Sequence, residues 1–206
     1  MQACEAVLRY GVQFSTSRAY VAAPLYAELE RLLSEMAAGA PVVLAATASL
    51  AHLGALPVLG SAGAFGENLS TAGLTEADLC LADRLRIGTA LFEVSQARQP
   101  CWKLNERFGV PGMARRVQET RRTGWYLRVV EPGSVGAGDE IVLVERPYPD
   151  WTLHRLMVLL YGAPQEPAVV REALALPLVP SWRALLERRL ATGRIEDWTS
   201  RLEGPG

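Results

Sequence analysis

From Arg84 onward the hydrophobic period switches from strand-like to helical at Pro147 and Pro149, and that switch limits what the chain can fold into. Before the prolines, apolar residues alternate. Leu85 and Ile87 are interleaved with Arg84 and Arg86, and Ala90, Phe92 and Val94 with Leu91, Glu93 and Ser95. A period of two marks strands with one buried face, and Gly88-Thr89 between the two runs suits a tight hairpin turn. Trp125 to Val130 and Glu140 to Val144 supply two more strands, joined by PGSVGAGD, whose glycines permit turn dihedrals. After the prolines the spacing is helical. Leu153, Leu156, Met157 and Leu160 form one stripe, Val169, Val170, Ala173 and Leu174 a second, and Trp182, Leu185, Leu186 and Leu190 a third. Ser181 is placed to cap the third helix and Gly193 to end it. Trp198 and Leu202 imply a tail that packs back. The expected fold class is α+β: a β-rich domain over residues 1–148, then a small helical domain over 149–206.

The first 60 residues depart from that alternation. Leu25, Leu29, Leu32, Leu33 and Met36 follow Pro24 at helical spacing. Pro41 to Gly60 is Ala-rich and apolar, but it carries Thr47, Ser49 and His52 and is broken by Pro57. A packed helix from about Val42 to Leu56 is expected there, since a membrane span needs ~20 strongly apolar residues. Gly60, Gly63 and Gly66 recur without a preceding strand and read as an irregular loop, not a dinucleotide cradle. Thr75 to Asp78 reads as a capping box, which makes Glu76 and Asp78 caps and not a catalytic carboxylate pair. The basic run Gly112 to Thr123 reads as a solvated helix face, with contacts to an anionic ligand as the other reading.

A formal net charge of -1 leaves no electrostatic footprint for a nucleic acid polymer or an acidic membrane surface. Cys4, Cys80 and Cys101 form neither a CxxC pair nor a disulfide framework, and His52 and His154 are too few for a Cys/His zinc site. With no signal-peptide order at the N-terminus, the cytoplasm is the expected location. Cys101 stands out among the three thiols. It follows the rigid Pro100 at the end of an apolar strand, with Gln96, Arg98, Lys103 and Asn105 close in sequence. Nearby cations favour the thiolate, a soft metal ligand and a nucleophile, and Arg and Lys can hold an anionic group such as a phosphate. A small buried hydrophobe is the plainer role for a lone cysteine.

FGENLS (Phe65 to Ser70), GLTEADL and VSQARQPCWKLN, in that order, resemble the MOSC domain, which is shared with the molybdenum cofactor sulfurases. GWYLRVVEPGSVGAGDEIVLVERP, WTLHRLMVLLYG and PSWRALLERRLATGRIEDWTSRL continue the resemblance from about Ser61 to the end of the chain. That order resembles the subgroup with a C-terminal three-helix domain, associated with resistance to 6-N-hydroxylaminopurine. The resemblance implies a MOSC-type β-barrel and binding of the molybdenum cofactor (molybdopterin), with Cys101 as the ligand to molybdenum and the catalytic residue. Arg98 and Lys103 are then cations near the pterin phosphate or the oxo ligands. Asn68, Gln96 and Asn105 are hydrogen-bonders to the cofactor, with turn chemistry as the other reading of Asn68. The implied reaction reduces small N-hydroxylated bases and related compounds to amines, and a separate protein supplies the electrons. The family's opening strands and its His-Gly-Gly segment have no clear counterpart here. The helical segment before Ser61 could cover the gap, or a second copy of the chain could pair with it. A cofactor-free carrier of sulfur or molybdopterin, and a degenerate interaction protein, are the alternative functions.

Overall fold

The computed structural model describes residues 12–14, 42–47, 64–162 and 166–204. The chain forms two compact units, each assembled from separate stretches of sequence. The first contains residues 1–74, 83–94 and 126–146, and the second residues 75–82, 95–125 and 147–206.

The first unit is built on a mixed sheet of seven strands: β1 (Val12–Phe14), β2 (Val42–Thr47), β3 (Leu69–Thr71), β4 (Arg84–Ile87), β5 (Ala90–Ala97), β6 (Trp125–Glu131) and β7 (Ile141–Glu145). Their order across the sheet is β1-β3-β2-β6-β5-β4-β7. The expected hairpin is present, with Arg84 opposite Glu93 and Ile87 opposite Ala90. Leu85, Ile87, Phe92 and Val94 are buried, as their alternation requires. Gly88 turns the hairpin at φ +57°, and a Cβ there would collide with the Ser134 carbonyl oxygen. On its other side β4 pairs antiparallel with β7. Asp83, wholly buried, holds Arg146 through contacts of 2.7, 3.0 and 3.2 Å, which tie the start of β4 to the end of β7.

Val42–Thr47 corrects the expectation of a helix starting at Val42. It is strand β2, which pairs in parallel with β3, Ala45 opposite Leu69 and Thr47 opposite Thr71. β1 flanks β3 antiparallel. Alanine favours a helix by only tenths of a kcal/mol per residue over most others, so ladder hydrogen bonds and β-branched Val42 and Val43 override it. The remaining helical expectations before residue 60 lie outside the described residues.

The second unit is helical: α1 (Lys103–Phe108), α2 (Met113–Thr120), α3 (Leu153–Tyr161), α4 (Pro167–Leu174), α5 (Pro180–Thr192) and the short α6 (Thr199–Glu203). The sequence stripes face inward. Leu153, Leu156, Met157 and Leu160 on α3, Val170 and Ala173 on α4, and Trp182, Leu185 and Leu186 on α5 are buried. Each fully buried side chain of this size contributes ~1.5–3 kcal/mol. Gly193 ends α5 in the left-handed region, as expected, but Ser181 does not cap it. The cap is Val179, because Pro180 takes the first helical position and leaves Ser181 exposed inside the helix. Trp198 does pack back, edge-on to Tyr161 at 5.3 Å between ring centroids. Among the described residues, no helix is long and apolar enough to cross a membrane.

Candidate functional site around Cys101

Cys101 lies between the end of β5 and the start of α1, and hydrogen bonds fix the backbone on both sides. Ala97 is fully buried, and the Arg98 N–H donates to the Gly124 carbonyl at 2.8 Å. Pro100 is buried and Cys101 half-buried. The Cys101 carbonyl accepts the Leu104 N–H at 2.9 Å, which starts α1. This helix was not anticipated: a short apolar pattern, KLNERF, with the single buried residue Leu104, gives too weak a period to read.

The four residues grouped around Cys101 in sequence, Gln96, Arg98, Lys103 and Asn105, lie with it in the second unit. Gln96 and Arg98 are half-buried, and Lys103, at the first position of α1, is exposed. Asn105 is tied into the fold through both ends of its amide. Its Nδ2 donates to the Leu202 carbonyl and its Oδ1 accepts the Ala114 N–H, each at 2.8 Å, joining α1 to α6 and α2. Asn68 belongs to the first unit and is exposed just before β3. The turn around it is held by the neighbouring Glu67, whose buried carboxylate accepts from the Phe65 N–H at 3.0 Å and the Ser70 hydroxyl at 2.8 Å.

Two residues outside the expected site, Arg201 and Glu76, shape this region. Arg201 on α6 donates from Nε to the Pro100 carbonyl at 3.0 Å and from Nη2 to the Gln99 carbonyl at 3.1 Å. Glu76, expected as a cap, is buried instead, and its Oε1 accepts the Gly124 N–H at 2.7 Å. Asp78 alone performs the capping, taking the Thr75 N–H and hydroxyl. Burial raises the Glu76 carboxyl above the ordinary carboxylate range, against the opposing pull of the Gly124 hydrogen bond and the Arg122 charge. Burial also pushes the Tyr161 phenol up to about 12, opposed by Gln99, Arg201 and Arg189, so it stays protonated at neutral pH. Cys80 is wholly buried, its thiol 3.4 Å from the Pro149 carbonyl, and behaves as a small core residue. Cys4 lies outside the described residues.

The model of the MOSC domain matches residues 33–142, more than half of the chain. The chain belongs to the MOSC domain family. A second model, the YiiM-like, 3-alpha helix domain, matches residues 151–193, and places it among family members that carry this helical appendage. Protein YiiM of Escherichia coli (strain K12) is 40% identical over 142 residues, 68% of this chain and 63% of that protein. A protein of Gibberella moniliformis named Reductase is 36% identical over 135 residues, 65% of this chain and 24% of its own length. The match therefore spans less than two thirds of either curated relative. The crystal structure of YiiM from Escherichia coli superposes with a TM-score of 0.70 at 30% identity, covering 96% of this chain and 100% of that one.

Proposed function

We propose that the chain binds the molybdenum cofactor, with the Cys101 thiolate as its one protein ligand to the metal, and reduces small N-hydroxylated bases and related compounds to amines. The observation that carries this reading is the half-buried Cys101 in a segment whose backbone is hydrogen-bonded on both sides, in a chain of the MOSC family. The donor set fits such a group. Among the described residues, no cluster of three or more His, Cys, Asp or Glu could cage a bare metal ion. A single soft thiolate suits a metal that arrives already held by an organic dithiolene. Arg98 and Lys103 supply cations on either side of Cys101 in sequence for the anionic part of the cofactor, and Gln96 a hydrogen-bonding amide. Asn105 serves the site by holding α1.

When bound, the metal supplies the electron transfer. The protein's share is to keep the thiolate in position and hold the cofactor's charge. Conversion of a hydroxylamine to an amine and water consumes two electrons and two protons. A separate electron-donor protein is part of the proposal, because no flavin, haem or iron–sulfur motif is visible in the sequence. The Gibberella moniliformis relative named Reductase supports a reductive reaction.

Cys101→Ser tests the assignment. A serine hydroxyl is a hard ligand, rarely ionised at neutral pH, and of nearly the same volume. Reduction of an N-hydroxylated base should fall by more than about a hundredfold with an unchanged circular dichroism spectrum, since even outer partners of metal ligands are worth roughly 10–100-fold. Cys80→Ser should keep its activity, because the new hydroxyl can donate to Pro149 as the thiol does. Parental activity in Cys101→Ser removes Cys101 from the chemistry.

A further inference from the structure

The geometry points to Arg201, on the last helix of the chain, as the residue that positions the Cys101 thiol. The inference rests on Cys101 being the functional ligand, and extends it to a part of the chain remote in sequence. One residue brackets the cysteine from both sides. The Arg201 guanidinium takes the carbonyls of Gln99 and Pro100 at 3.1 and 3.0 Å, and the Arg201 carbonyl accepts the Trp102 N–H at 2.8 Å. Positions 99, 100 and 102 are thereby fixed by a single partner, while the Cys101 carbonyl is fixed by Leu104. The thiol keeps little freedom beyond its own χ1 rotamer. A planar guanidinium reaches two successive carbonyls at once, which an ammonium on a flexible stem cannot reproduce.

The neighbouring contacts orient Arg201 itself. Leu202 is buried, and its carbonyl accepts from Asn105 at 2.8 Å. The Trp102 ring packs close to Gly204, where a Cβ would stand 3.4 Å from the indole. Arg201 touches neither substrate nor metal in this account; it is a positioning residue. The C-terminal helical segment is thereby a functional part of the cysteine site, and α6 is the part that acts.

The test uses the full chain, with Arg201→Met, Arg201→Lys and, as a control, Arg115→Met on α2, which breaks the exposed 2.6 Å ion pair to Glu203 on the same helix as Arg201. The first readout needs no cofactor: the alkylation rate of Cys101 by iodoacetamide, followed on its own peptide by mass spectrometry. Arg201→Met should raise that rate by about an order of magnitude, the scale set by losing two backbone-directed hydrogen bonds. Arg201→Lys should fall between Met and the parent, and Arg115→Met should match the parent. In cofactor-loaded protein, Arg201→Met should lower kcat and leave KM nearly unchanged. Unchanged alkylation in both Arg201 variants, whatever their melting temperatures, overturns the proposal and leaves Arg201 a tail anchor. If Arg201→Met does not fold, the Lys variant alone decides by the same criterion. Faster alkylation with parental kcat would keep Arg201's hold on the thiol and refute the ligand role of Cys101.

Discussion

Glu76 buries its carboxyl group to satisfy one backbone donor. Its Oε1 takes the Gly124 N–H, whose carbonyl in turn receives Arg98, so a buried carboxylate lies two hydrogen bonds from the strand that ends at Cys101. Its Oε2 has no hydrogen-bond partner among the described residues. The folded-state pKa is raised, so the folded protein keeps this proton to higher pH than the unfolded chain does. The stability it contributes is therefore fully present below the ordinary value of 4.5 and is lost as pH rises through the folded pKa. Glu76→Gln keeps the acceptor for Gly124 and cannot ionise. The melting temperature of the parent relative to Glu76→Gln should fall as pH is raised from about 4 to about 7; parallel curves would show that Glu76 does not titrate as an internal group. Locally, Thr75, Glu76 and Asp78 are consistent with a helix cap. Only the packing of residues 75–82 against 151–154, through the Leu153 N–H on Leu79 and the His154 N–H on Glu76, turns that carboxylate inward. Cys101 was legible for the opposite reason: its signal is residue type and neighbours within a few positions.

At the scale of elements, what local pattern determines was readable and what distant partners determine was not. The β4–β5 hairpin and the stripes of α3, α4 and α5 follow from alternation and helical spacing that each segment carries itself. β2 does not, because its strand state depends on pairing with β3 more than twenty residues later. Helix ends show the same division. Gly193 announces the end of α5, but the carbonyls ending α3 are closed by a residue of another helix. Arg189, largely buried, donates to Leu159 at 2.7 Å and Leu160 at 2.6 Å and pairs with Glu196 at 2.7 Å. Arg189→Met keeps most of the volume but leaves Glu196 and two helix-end carbonyls without this partner. A loss of about 3–5 kcal/mol in urea unfolding is expected, the usual cost of breaking a buried pair from one side. A loss below about 1 kcal/mol would place Arg189 among exposed ion pairs.

For the molecule as a whole, the two periods of the sequence describe its parts better than its assembly. The compact units interleave the chain: residues 75–82 and 95–125 join the helices after Pro147, while residues 83–94 and 126–146 stay with the sheet. A reading that runs along the sequence cannot see this, since it follows from contacts such as Arg201 on Gln99 and Pro100, about a hundred positions apart. The family was legible because its motifs are contiguous, and Cys101, Arg98 and Lys103 fall inside one of them. Whether Cys101 ligates the molybdenum of a bound cofactor can be read from a metal analysis. Parent and Cys101→Ser are produced in the same cofactor-competent cells, and molybdenum is measured per folded chain after gel filtration. About one molybdenum per parent chain is expected, and a small fraction of that in Cys101→Ser. Equal molybdenum in the two proteins, or none in the parent, would contradict that ligand role.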